Sequence, residues 1–225
     1  MKIVEADYEI LTELDGMAIL RHIERIGRVC YKSEDRITGD SCITFVAMLI
    51  ERGHEAMIEH YSFSVKFVCD RGVSHEIVRH RLASFAQEST RYCNYGKAGE
   101  VKFVFPCFWA EGPLDHGAYP TSVDEQYNAW LHAMRDAERA YLSMLDRGAS
   151  PQEARSVLPN SLKTEIVMTA NLREWRHFLR LRTAPSAHPQ MREIAVPLLF
   201  DLQKCIPVVF DDVLREHEQT GGRAK

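Results

Sequence analysis

Tyr61-Ser62-Phe63-Ser64-Val65-Lys66-Phe67-Val68-Cys69 alternates residue by residue, with Phe63, Val65, Phe67 and Cys69 on one face. A two-residue period puts side chains on opposite faces of an extended chain, so this stretch reads as a half-buried strand. Leu162, Thr164, Ile166 and Met168 repeat the pattern further along, and Glu100 to Phe105 is a third strand candidate. Around these lie helical signals. Ile19, Leu20, Ile23 and Ile26 are at near-helical spacing within Asp15 to Cys30. A second helix runs from Asp40-Ser41 to Gly53, where a glycine suits a left-handed stop. Arg71-Gly72 turns the chain into a short helix reaching about Arg79. Ser122-x-x-Glu125 is a capping box for a long helix ending at Gly148, and Ser150-Pro151-Gln152-Glu153 opens a short one. Asn171-x-x-Glu174 caps a helix to about Arg182, and His188-Pro189 starts the last long helix, in which Pro197 predicts a kink or interruption. Strands interleaved irregularly with helices predict a single α+β domain.

The chain has 225 residues, 28 Lys+Arg against 32 Asp+Glu, a formal charge of −4 and 45% hydrophobic residues. That length supports a real core without disulfides or metal. The near-neutral balance excludes a histone-like coat on nucleic acid, but it leaves room for a local basic site. No apolar run approaches the roughly 20 residues that span a bilayer. Met1-Lys2-Ile3-Val4-Glu5-Ala6-Asp7 turns acidic where a signal peptide would turn apolar. Six scattered cysteines without a Cys-x-x-Cys pair read as reduced thiols of a cytoplasmic protein.

The densest polar stretch is Arg79-His80-Arg81-Leu82-Ala83-Ser84-Phe85-Ala86-Gln87-Glu88-Ser89-Thr90-Arg91-Tyr92. Guanidinium groups stay protonated and present forked donors, which suit phosphates and planar carbonyl edges. Interleaved Leu82, Ala83, Phe85 and Ala86 predict partial burial of this stretch, against the alternative of a solvated loop. A second cluster, Arg173, Arg176, Arg180 and Arg182, follows Asn171. Trp175, Phe178, Leu179 and Arg182 fall on one helical stripe, so Arg182 ends an apolar face, while Arg173, His177 and Arg180 share another face. His54 and His60 are six positions apart, which leaves their rings about 120° apart on a helix, so no zinc pair is predicted and no metal is assigned. Ser89 lacks a glycine-flanked elbow and reads as a positioning residue, not a nucleophile. From these residues alone follow two arginine clusters suited to anionic, planar ligands, and no particular reaction.

Arg79-His80-Arg81, seven residues, then Ser89-x-Arg91 resembles the signature of the flavin-dependent thymidylate synthases. Gly53-His54-Glu55 with Glu59-His60, Arg155-x-x-Leu158-Pro159, Asn171-Leu172-Arg173, and Leu181-Arg182 with His188-Pro189-Gln190 are similar to further motifs in the same order. The resemblance spans roughly residues 15 to 210 and implies one catalytic domain over 1–225, with a central, mainly antiparallel sheet flanked by helices. It implies synthesis of dTMP from dUMP, with methylenetetrahydrofolate as carbon donor and NADPH as reductant through tightly bound FAD. It further implies a homotetramer whose active sites draw on more than one subunit, with neither nucleic acid nor membrane as partner.

Position by position, the resemblance assigns His54, Arg79, His80, Arg81, Asn171, Leu172, Arg173 and His177 to FAD. Glu76, Arg79, Gln87, Glu88, Ser89, Thr90, Arg91 and Arg155 are assigned to dUMP, with Gln87 also reaching the flavin. Arg182 matches the arginine that engages the uracil and stabilises its anionic form, the catalytic assignment. Some members carry Asn-Glu in place of Ala86-Gln87, Gln in place of Glu76, or Asn in place of His177. The competing reading from the residues is a non-catalytic nucleotide- or RNA-binding protein, which would need no flavin.

Overall fold

The computed structural model describes residues 1–109 and 125–221. Two short strands come first, β1 (Lys2–Val4) and β2 (Asp7–Ile10). Helix α1 (Gly16–Tyr31) is capped by Asp15, whose carboxylate accepts the Ala18 N–H at 2.9 Å. Helix α2 (Ser41–Glu51) ends before Gly53, which adopts φ +70°, the left-handed stop that the sequence predicts. Strand β3 (Ser62–Asp70) leads directly into α3 (Arg71–Ile77). Then come β4 (Ala83–Gln87) and β5 (Lys102–Val104). Helices α4 (Glu125–Asp146) and α5 (Pro151–Ala154) follow; Ser122 lies outside the described residues. Strand β6 (Lys163–Asn171) runs straight into α6 (Leu172–Arg182), and α7 (Pro189–Cys205) and α8 (Asp211–Gly221) complete the chain.

The larger sheet has the order β2-β3-β6-β4. The Leu172 N–H donates to the Tyr61 carbonyl at 3.0 Å and the Arg71 N–H to the Leu162 carbonyl at 3.1 Å. Residue numbers therefore rise on β3 while they fall on β6, and the central pair is antiparallel. A smaller sheet pairs β1 with β5 in parallel, Ile3 opposite Phe103. The α+β expectation holds. Pro197, by contrast, does not interrupt α7. It occupies an exposed position, while Ile194, Ala195, Leu198, Leu199 and Leu202 are buried on the other face. Burying those side chains offsets the one backbone hydrogen bond that a proline removes. The expected burial of Leu82 also fails, since that side chain is 77% exposed.

The chain divides into two compact units. The first comprises Met1–Asp7, Phe67–Arg79 and Ala86–Ile166. Its core gathers Val101, Phe103, Met134, Tyr141, Ala154 and Leu162. The second comprises Tyr8–Lys66, His80–Phe85 and Val167–Lys225. Within it Phe63 stacks on Trp175 with ring centroids 4.9 Å apart, and the indole N–H donates to the Phe63 carbonyl at 3.2 Å. None of the six cysteines forms a disulfide, and burial pushes the Cys69 thiol up to about 12. Among the described residues no helix is long and apolar enough to cross a membrane.

Gly16, the first residue of α1, sits where a Cβ would lie 2.2 Å from the backbone oxygen of Cys205. That neighbour is backbone and has little room to yield. Gly16→Ala is expected to lower stability by about 1–3 kcal/mol despite alanine's better helix propensity. Urea unfolding measures this; an unchanged or raised midpoint would show that the approach of the two segments is loose.

Candidate active site

In the second unit, α6 carries most of the candidate side chains. Its first turn is fixed by Asn171, whose Oδ1 accepts the Glu174 N–H at 2.9 Å. Trp175, Phe178 and Leu179 are fully buried and anchor one face. Arg176 is buried too, only 1% exposed, which the sequence reading does not anticipate. Its guanidinium donates to both Asp212 oxygens at 2.7 Å, to Glu55 Oε1 at 3.1 and 3.2 Å, and to the Val209 carbonyl. Burial works against the charge on Asp212, but bonding to Arg176 and the charges of Arg176 and Arg180 hold its carboxyl below the usual range.

The remaining face of α6 lines a cavity of about 590 Å³ with Asn171, Arg173, Glu174, His177 and Arg180. The facing wall is Glu55 and Glu59, from the 3-10 turn at Glu55–His60, together with Leu82. Arg173 donates to Glu59 and lies 3.5 Å from Glu55, while Arg180 bonds Asp212 at 2.7 Å and Glu216 at 3.0 Å. Three of the residues assigned to flavin, Asn171, Arg173 and His177, thus share one cavity. Leu172 is buried within the helix instead, and His54 is exposed, with its Nδ1 3.2 Å from the Tyr31 hydroxyl.

His80 is 4% exposed and bonded on both ring nitrogens. Arg182 Nε donates to His80 Nε2 at 3.0 Å, and His80 Nδ1 meets Glu174 Oε1 at 3.1 Å. A guanidinium only donates, so Nε2 must offer its lone pair and the ring proton sits on Nδ1, pointing at Glu174. Burial, then the charge of Arg182, then His177 lower the imidazole pKa to about 4, while burial raises that of Glu174. At neutral pH His80 is therefore uncharged. Donor atoms of His80, Glu174 and His177 lie within 4.8 Å of one another. With one imidazole nitrogen protonated and the other accepting from Arg182, His80 has no lone pair left for a metal. Arg79 and Arg81, on either side, are exposed.

In the first unit, Gln87 Nε2 donates to Ser74 Oγ at 2.9 Å and Thr164 Oγ1 at 3.3 Å. Glu88 accepts from the Tyr95 hydroxyl at 2.8 Å and from Lys163 Nζ at 3.1 Å, and its N–H donates to the Glu165 carbonyl. Burial and this bond to Glu88 push the Tyr95 hydroxyl pKa upward. Both carboxylate oxygens of Glu88 are thus engaged within the protein, making it a brace for the segment that follows. In that segment Ser89 Oγ accepts the Arg91 N–H at 3.3 Å, and Arg155 donates to Thr90 Oγ1 at 3.1 Å. Arg91 is exposed beside the Tyr92 ring, and Glu76 is half-buried. Sequence reasoning missed Glu174 as a partner of His80, and Lys163 and Tyr95 as partners of Glu88. The i, i+3 spacing of Glu174 and His177 on the face next to Arg173 was the available clue to the first.

The mixed α+β fold thus gathers guanidinium groups around one cavity and holds a buried histidine bonded on both ring nitrogens. The family described as thymidylate synthase complementing protein matches residues 14–208. The chain is 33% identical over 217 residues to the flavin-dependent thymidylate synthase of Corynebacterium glutamicum, covering 92% of this chain and 84% of the relative. It is 29% identical over 210 residues to that of Geobacter sulfurreducens, covering 87% and 85%. A crystal structure of a UMP/dUMP methylase, PolB of Streptomyces cacaoi, bound with 5-Br dUMP, superimposes with TM-score 0.73 at 26% identity over 94% of this chain and 96% of that one. The chain belongs to the flavin-dependent thymidylate synthase family.

Because His80 falls from its ordinary 6.5 to about 4 on folding, the unfolded chain binds a proton between those values that the folded chain refuses. This residue's contribution to stability is therefore lost as pH falls through that window. Wild type is expected to lose more stability between pH 7 and 5 than His80→Gln in paired urea titrations; equal losses would mean His80 is not held neutral.

Proposed function

We propose that this protein makes dTMP from dUMP as a single catalytic domain, using FAD, with methylenetetrahydrofolate as carbon donor and NADPH as reductant. The observation that most supports this reading is the gathering of Asn171, Arg173 and His177 on one cavity, in the unit where His80 meets Arg182. About 590 Å³ falls within the usual size of a small-molecule or cofactor site. Arg173 and Arg180 put guanidinium groups on its wall, paired with Glu59 and Glu55 and with Asp212 and Glu216, so a diphosphate would bind there by exchanging its oxygens for those carboxylates, whereas Arg176 is buried away from the cavity. These residues fit a flavin nucleotide. When bound, flavin would supply the hydride and relay the one-carbon unit, redox chemistry that no amino-acid side chain provides.

The chain's own residues bind and orient. Ser89, Thr90, Arg91 and Arg155 hold the dUMP phosphate, with Glu88 bracing their segment through Tyr95 and Lys163. Arg79 and Glu76 complete the nucleotide contacts, and Arg81 with Arg79 adds cationic charge toward FAD. Arg182 engages the pyrimidine: attack by the ring carbon needs extra electron density in the ring, and a fixed guanidinium lowers the cost of that charge. The same reading makes the protein a cytoplasmic homotetramer in which several subunits contribute to each site.

Purified protein is expected to carry flavin, or to take up added FAD, and to oxidise its reduced form in a dUMP-dependent way. A colourless protein indifferent to FAD would overturn the proposal. Arg182→Lys keeps the charge but loses the planar fork, and is expected to slow single-turnover dTMP formation roughly 10²-fold or more while leaving FAD content nearly intact. Near-normal turnover would remove Arg182 from the chemistry.

A further inference from the structure

Glu174 belongs to none of the expected contact sets, yet it is 6% exposed and fixed at both ends. Its backbone N–H is held by the Asn171 cap at 2.9 Å, and its side chain meets His80 Nδ1 at 3.1 Å. His80 in turn takes the Arg182 Nε–H on Nε2 at 3.0 Å, and its ring sits edge-on to Phe178 at 4.9 Å between centroids. An imidazole can accept from Arg182 only in the tautomer that carries its proton on Nδ1. The acceptor that selects this tautomer is the Glu174 carboxylate.

We propose that Glu174 is a positioning residue which, by fixing the tautomer of His80, sets the orientation of the Arg182 guanidinium. Without an acceptor at Nδ1 the ring proton is released to move to Nε2, where it opposes the Arg182 Nε–H donor to donor. The guanidinium then turns away, although its charge and its place in the chain are unchanged. Glu174→Gln keeps a carbonyl oxygen that can accept from Nδ1 and preserves the tautomer. Glu174→Leu keeps bulk and removes the acceptor.

This inference rests on the reading of Arg182 as the residue that engages the pyrimidine, but its first test does not. Side-chain ¹⁵N resonances of histidine-labelled, flavin-loaded protein distinguish the two neutral tautomers of His80. Wild type and Glu174→Gln are expected to show the proton on Nδ1, and Glu174→Leu a shift of population to Nε2, which a residue needed only for packing would not cause. In single turnover at saturating dUMP, Glu174→Leu is expected to be about tenfold or more slower, with FAD content retained and Glu174→Gln restoring most of the rate. A wild-type ring protonated on Nε2, a tautomer unmoved in Glu174→Leu, or wild-type rates in that variant would each overturn the relay. The wild-type spectrum needs no variant, so the proposal stays testable should Glu174→Leu fail to fold. Absence of dTMP formation by wild type would instead defeat the functional reading and leave the tautomer result standing.

Discussion

Arg176 is a guanidinium taken almost wholly out of water, and such a group is tolerated only when its donors are met. Asp212 from α8, Glu55 from the 3-10 turn and the Val209 carbonyl meet them. The last of these has its own cost: Val208 adopts φ +75°, a region that a β-branched residue rarely enters, in the turn that presents the Val209 carbonyl. One buried cation therefore ties α6 to two other segments of its unit. With Trp175 stacked on Phe63 beside it, the rotation of α6 about its axis is set.

The rotation of α6 decides what its other face can do. With Arg176, Phe178 and Leu179 inward, Arg173, His177 and Arg180 line the cavity. Glu55 is shared between the two environments, bonding Arg176 in the interior and lying 3.5 Å from Arg173 at the cavity. A carboxylate in that position orients the cavity cations and offsets their mutual repulsion before any anionic ligand arrives. At the far end of the same helix, Arg182 donates to His80, whose ring is kept uncharged by burial and by the charges of Arg182 and His177. The cavity wall and the His80–Arg182 contact are thus properties of one helix and of the groups that lock it.

The sequence made some of this legible and concealed the rest, for reasons that particular residues explain. Strands β3 and β6 were readable because each buries one face, so that apolar residues alternate cleanly. Strand β4 was not, because it is the last strand of the sheet order and only half-buried on one face; Ser84 and Ala86 point outward and its neighbour Leu82 is exposed. Helix α8 escaped notice because Val213 is its one buried residue, which leaves no apolar stripe to detect. Asn171, Arg173 and His177 could be listed from their motif and their common face. Arg176 could not, because a buried arginine looks like any exposed arginine until its partners, Glu55 and Asp212, far away in sequence, are brought beside it. The same holds for Glu174, legible only as a capping partner until His80 arrives.

The claim that Arg176 fixes α6 is tested most directly by the unfolding free energy of Arg176→Met, which nearly preserves volume and removes the charge. Asp212 and Glu55 would then face each other without their cation. A loss of about 2–3 kcal/mol is expected, at or just below the roughly 3–5 kcal/mol for breaking a fully buried pair, because both carboxylates keep some contact with water. A variant as stable as wild type, or more stable, would contradict it and return the positioning of α6 to its apolar face alone.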